Sequence, residues 1–128
     1  MATKMRAHET REVATLSEPE SAWLGAMIDA EGHIRIDTTA RPNVSYRYPR
    51  IVIINTCLAL LWKAEEIANV GYITQRKRKQ ADHHADQFQW QVCGWRAAEV
   101  LRQVLPWLIV KQELATQIVT EFGRSEQP

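Results

Sequence analysis

The sequence predicts an α+β domain with its elements in the order αββαββα and one four-stranded antiparallel sheet. Three observations lead there. Apolar residues recur at helical spacing in three segments. Four short segments alternate polar and apolar residues, the period of a half-buried strand. The strand segments come in two consecutive pairs, so two hairpins share a sheet with helices on one face and the other face free.

The first helix is expected to start at Ser17-Glu18-Pro19-Glu20. Ser17 caps, Glu20 completes a capping box, and Pro19 is tolerated in the first turn. Trp23, Leu24, Met27 and Ile28 carry the helix to about Glu31, where Gly32 lets the chain turn out. His33-Ile34-Arg35-Ile36-Asp37 alternates as a strand, Thr38 to Ser45 reads as a turn or loop, and Tyr46 to Ile54 is the second strand. Asn55-Thr56 resembles a helix cap before Leu58, Leu61, Trp62 and Ile67, and Gly71 breaks that helix. Tyr72 to Lys79 is the third strand, Gln80 to Asp86 a polar loop, and Phe88 to Val92 the fourth strand. Arg96 to Phe122 is helical, with Pro106 kinking or splitting the run.

The 128 residues suit one domain, and five tryptophans help to fill its core. We divide the chain into a flexible N-terminal arm (1–16), the domain (17–123) and a C-terminal tail (124–128). Net charge is only +1, but its distribution is uneven. Residues 1–32 hold three basic and six acidic side chains, whereas residues 33–95 hold nine basic and five acidic. Cys57 and Cys93 form neither a C-x-x-C nor a disulfide framework, which fits a reducing compartment. No apolar run is long enough to span a membrane, and the N-terminus has no apolar h-region, so neither an anchor nor a secretory signal is expected.

Strand parity assigns the free face. With Ile34 and Ile36 inward, His33, Arg35 and Asp37 point out; with Ile73 inward, Tyr72, Thr74, Arg76 and Arg78 point out; with Phe88, Trp90 and Val92 inward, Gln87, Gln89 and Gln91 point out. The second strand is apolar on both faces, but Tyr48 and Arg50 share a parity. Arginine pairs bidentately with guanine, glutamine with adenine, and arginine also neutralises phosphates. The same composition suits a solvated sheet face. Asp37 can accept from a cytosine amino group or pair with a neighbouring arginine. A strand of about eight residues covers about 26 Å, which is about eight base pairs per subunit.

The first helix also carries small residues, Ala22, Gly25, Ala26, Asp29 and Ala30, at spacings of three and four. Such a stripe admits a second helix, and a second copy of this one would place two Glu31 side chains near a two-fold axis. Crowded carboxylates resist joint ionisation, and a divalent cation reverses that cost. Hard oxygen donors suit Mg²⁺.

"LGAMIDAEG", Leu24 to Gly32, resembles the motif of the LAGLIDADG homing endonucleases. "INT" at Ile54–Thr56, "GYI" at Gly71–Ile73 and "LPWLIVKQELA" from Leu105 to Ala115 extend the resemblance over roughly residues 17–122. With one motif, it implies a homodimer whose saddle-shaped sheet lies in the major groove of double-stranded DNA, and metal-dependent cleavage of both strands. It implies Glu31 as metal ligand and catalytic residue, with the Ala30 carbonyl contributing, and Asp29 as the more structural acid. Gly25-Ala26 stands where the motif usually reads Ala-Gly. The resemblance further implies a cation and a water-ordering polar group beside the metal. Arg96 is our candidate for the first. Asn55 is our candidate for the second, with a simple helix cap as its alternative. Lys111 is a family landmark expected to touch a backbone phosphate or stay exposed; His83-His84 makes a poor metal site and is expected to be solvated or to contact phosphate. An intracellular compartment holding DNA follows: bacterial or phage-host cytoplasm, or an organelle. The alternatives on the same fold are an RNA maturase bound to intron RNA and a non-cleaving DNA-binding regulator.

Overall fold

A computed structural model of the protein describes residues 9–42, 44–76 and 86–124. Its elements are α1 (Glu18–Glu31), β1 (Gly32–Arg41), β2 (Val44–Asn55), α2 (Leu58–Ala68), β3 (Tyr72–Arg76), β4 (Gln87–Cys93), α3 (Trp95–Val104), a 3-10 turn (Leu105–Trp107) and α4 (Gln112–Phe122). This is the αββαββα order with its last helical run divided. Pro106, which has no N–H to continue the helical ladder, lies in the dividing turn.

Helix α1 begins as its sequence predicts. The Ser17 hydroxyl accepts from the Glu20 N–H at 3.2 Å, and the Glu20 carboxylate accepts from the Ser17 N–H at 2.8 Å. Gly32 does not turn the chain. Its backbone is extended, and a Cβ there would lie 2.9 Å from the Val52 carbonyl oxygen. A side chain would push the end of α1 away from β2.

The first hairpin is longer than expected. β1 and β2 pair from Gly32↔Ile53 to Arg41↔Val44, so Thr38 to Ala40 and Ser45 are strand residues, not loop. Thr38-Thr39-Ala40 offers little polar–apolar contrast for a periodicity argument, yet threonine suits a pleated backbone. α2 ends at Asn69, which takes the left-handed conformation (φ 66°), two residues before Gly71. Gly71 itself has φ 94°, and any Cβ would collide with the Trp90 indole.

The sheet order is β1-β2-β4-β3, all neighbours antiparallel. Its inner face presents Ile34, Ile51, Ile53, Trp90 and Val92 to Leu24 and Ile28 of α1, Leu61 of α2, Val100 and Leu101 of α3, and Ile118 of α4. This core holds the helices on one face.

Residues 9–16, placed in a flexible arm by the sequence, are docked against the body. Ala14 N–H donates to the Ala68 carbonyl (2.9 Å), Leu16 N–H to the Gln103 side chain (2.8 Å), and Arg11 to Glu65 (3.0 Å) and the Gly71 carbonyl (2.6 Å). Acceptors far along the chain, two backbone carbonyls and two side chains, decide this, and local composition does not display them.

Candidate functional site

Two regions gather the polar residues singled out above: the outer face of the sheet and the C-terminal end of α1. Ladder register arranges the face in rows, because directly paired residues share a side. Arg35, Arg50 and Cys93 form one row, and His33, Val52, Gln91 and Tyr72 the next. Ile54, Gln89 and Thr74 follow, then Gln87 with Arg76, while Asp37 pairs with Tyr48 towards the hairpin tip. Register thus resolves β2, whose Tyr48 and Arg50 point out while Pro49, Ile51 and Ile53 point in. Arg78 and the histidines His83 and His84 lie outside the described residues.

The centre of this face is hydrogen-bonded to itself. Asp37 accepts from Arg35 Nε at 2.8 Å and from Arg50 Nε at 2.7 Å. Arg50 Nη1 donates to Gln91 Oε1 (2.7 Å) and Nη2 to the Tyr48 hydroxyl (3.0 Å). Gln91 Oε1 also accepts from Gln89 Nε2 (3.2 Å), and Gln91 Nε2 donates to the Tyr72 hydroxyl (2.6 Å). Burial pushes the Asp37 carboxyl up, but the two guanidinium groups outweigh it and hold the group below its ordinary value.

At the end of α1 two acids two residues apart have different surroundings. The Asp29 carboxylate accepts from the backbone N–H of Val110 (3.0 Å) and Lys111 (3.0 Å), just before α4. In return Lys111 Nζ donates to the Asp29 carbonyl at 2.7 Å. An acid therefore serves the N-terminus of α4, and a cation serves the C-terminus of α1, the favourable sense at both ends. Burial raises the Asp29 carboxyl, while the N–H groups of Lys111, Val110 and Ile109 and the Lys111 charge lower it further, leaving it below its ordinary value. Glu31 is exposed, and among the described residues it makes no hydrogen bond or ion pair.

Several expected roles change place. Gly25, assigned to an interface with a second copy, is buried against its own chain: a Cβ there would stand 2.9 Å from Trp107 Cβ. Asp29 also turns inward, to α4. The outward part of the stripe is the line of half-buried Ala22 and exposed Ala26 and Ala30, flanked by half-buried Trp23 and Met27. Ile109 and Val110, exposed by 84% and 77%, stand beside it. Sequence reasoning missed these two, although three apolar residues, Leu108 to Val110, between helical segments were a readable signal. Asn55 has the inward parity, and its Oδ1 accepts from the Cys57 N–H at 2.8 Å, an Asx turn just before α2; the N-cap is Cys57, with no side-chain capping bond, so Asn55 is not the cap. Arg96 Nε donates to the Arg11 carbonyl (2.6 Å), and its guanidinium lies over Trp95. It lines a cleft of about 570 Å³ with Glu9, Arg11, Tyr72 and Cys93. That cleft adjoins the Cys93 end of β4, three residues past the row in which Ile53 pairs with both Gly32 and Trp90.

Among the described residues no three His, Cys, Asp or Glu side chains cluster as a metal site. At the C-terminal end of α1, one chain offers one carboxylate unengaged among the described residues, Glu31, next to the exposed Ala30. A carboxylate and a carbonyl are hard oxygen donors of the kind Mg²⁺ and Ca²⁺ prefer, and a second copy would complete the set. The residues present fit such an ion.

The chain has the LAGLIDADG homing-endonuclease fold. The homing endonuclease I-CvuI in complex with the I-CreI target superposes with TM-score 0.66 at 21% identity, over 80% of this chain and 65% of that one. Archaeal intron-encoded I-Vdi141I, complexed with DNA, gives 0.57 at 16% over 81% and 71%. The LAGLIDADG homing endonuclease I-GzeII with its DNA target gives 0.59 at 16% over 83% and 36%. The chain spans just under two thirds of the I-CvuI length. No protein-family model and no curated protein matches the sequence. Among the described residues no helix is long and apolar enough to cross a membrane.

Proposed function

We propose that two copies of this chain form a LAGLIDADG homing endonuclease that cuts both strands of a long, near-palindromic DNA site. The observation that carries this reading is the exposed, unengaged Glu31 at a helix end that opens directly into an arginine- and glutamine-rich sheet face. The line Ala22, Ala26 and Ala30, with Ile109 and Val110, is the surface for the second copy. It brings the two Glu31 side chains together at the axis.

Glu31 and the Ala30 carbonyl would hold Mg²⁺. The ion when bound acidifies water and stabilises a leaving oxygen. Lys111 supplies fixed positive charge at the same helix end, where it steadies charge developing on the phosphate. We transfer to it the role expected of Arg96, which lies in the cleft at the Cys93 end of β4 and not at the end of α1. Asn55 is committed to the turn before α2. The sheet face positions the duplex. Phosphate neutralisation by its arginines makes affinity fall steeply as salt rises.

Incubating the full chain and Mg²⁺ with a randomised duplex library, then sequencing the cut molecules, tests the reading. A single near-palindromic site cut in both strands is expected, with light scattering giving twice the chain mass. Bound but uncut DNA would instead mark a non-cleaving regulator.

A further inference from the structure

The face network says which residues read bases and which hold the readers. Building on the DNA-binding reading above, we propose that Asp37 and Gln91 are positioning residues that hold Arg50 as a guanine-reading fork and contact no base themselves.

The argument is an inventory of donors and acceptors. Guanidinium has five N–H donors. Arg50 uses three: Nε to Asp37, one on Nη1 to Gln91, and one on Nη2 to Tyr48. One N–H remains on each Nη, the pair a bidentate contact with guanine O6 and N7 requires. Each acceptor around Arg50 comes from a different strand residue, so the fork is locked in orientation. Its side chain is only 18% exposed, against 51% for Arg35, and the Tyr48 ring lies beneath the guanidinium.

The same inventory removes Gln91 as an adenine reader. Bidentate recognition of adenine needs the amide oxygen to accept from N6. Gln91 Oε1 already accepts from Arg50 and Gln89, which occupies both of its lone pairs. Asp37 accepts one charged donor on each carboxylate oxygen, so it has little to offer a cytosine amino group that it does not already give to arginine. Arg35 differs: among the described residues only its Nε is engaged, and its exposure suits a phosphate.

The test is binding selection from a randomised duplex library, read by sequencing bound DNA, with cleavage not scored. Five full-length variants are compared with the parent: Arg50→Ala, Asp37→Asn, the double variant, Gln91→Ala, and Gln91→Glu, whose carboxylate still accepts from Arg50. The parent is expected to show one strong G·C preference per half-site that Arg50→Ala weakens by between about 5-fold and 150-fold. Asp37→Asn should weaken that same position and no other, the double variant should select as Arg50→Ala does, and Gln91→Glu should retain it. A change at any position that Arg50→Ala leaves intact, in either Asp37→Asn or Gln91→Glu, makes that residue a reader and overturns the inference. So does a parent preference untouched by Arg50→Ala. A parent chain that selects no sequence at all overturns the DNA-reading function itself, a separate result visible before any variant is compared. Should Asp37→Asn melt below the assay temperature, Gln91→Glu and Gln91→Ala decide alone. Gln91→Ala is expected to weaken the Arg50 position, and weakening a different one refutes the assignment.

Discussion

The end of α1 and the centre of the sheet face both carry carboxylates, and they use them in opposite ways. Asp37 is bound on each oxygen by a guanidinium, and Asp29 by two backbone N–H groups. Glu31, two residues from Asp29, is exposed and unengaged among the described residues. An acid whose lone pairs are committed fixes the position of something else. An acid left open can take a cation or a substrate from outside. On the proposed reading, Asp29 has a structural role, Asp37 an orienting one and Glu31 the chemical one.

The largest expected effect comes from reversing the last assignment. Glu31→Gln should reduce double-strand cleavage by on the order of a thousandfold, because it removes several kcal/mol of charge stabilisation held by one carboxylate. Affinity for the selected site should stay within a few-fold, since the sheet face is untouched. Cleavage at the parent rate would dissolve the contrast between Glu31 and its neighbours.

A second comparison separates the two lines of small residues on α1. Gly25 faces its own Trp107 and Val104, and Ala26 faces out. Gly25→Leu should therefore destabilise the fold by about 1–3 kcal/mol through overpacking, seen as a lower urea midpoint at any protein concentration. Ala26→Leu should leave the monomer fold intact and weaken self-association, seen as half the mass by light scattering. If both variants behave alike, the two lines do not have separate duties.

These lines also show where sequence reasoning stopped. Helix α1, with its capping box, and the parity of three strands were legible, because both depend on periods of a few residues within one segment. The outward set His33, Arg35, Asp37, Thr74, Arg76, Gln87, Gln89 and Gln91 follows from that period alone. Gly25 and Asp29 were misplaced because their partners, Trp107 and Val110–Lys111, lie some eighty residues further along the chain. A small residue marks a close approach without saying to what. Lys111 was expected to touch a phosphate or stay exposed, and its inward contact went unseen for the same reason: its ammonium meets the Asp29 carbonyl across the fold. The pairing of β2, apolar on both faces, needed the register with β1 and β4 to be resolved.

The smallest effect concerns Asp29 as a purely structural acid. Its carboxyl is held below the ordinary value by the N–H groups it accepts from, net of the opposing burial. A group depressed on folding adds stability that is present above its unfolded value, near 4, and is lost as pH falls through the folded value. Asp29→Asn should cost about 1 kcal/mol at neutral pH, the scale of a charged hydrogen bond reduced to a neutral one, or a few degrees in melting temperature. The gap between parent and variant should hold from pH 7 down to the ordinary carboxylate range near 4 and narrow as pH falls below it. DNA affinity at pH 7 should not change, because the carboxylate faces α4 and not the duplex. A variant that melts with the parent at pH 7 yet loses cleavage would move Asp29 from the structural side of the comparison to the chemical one, beside Glu31.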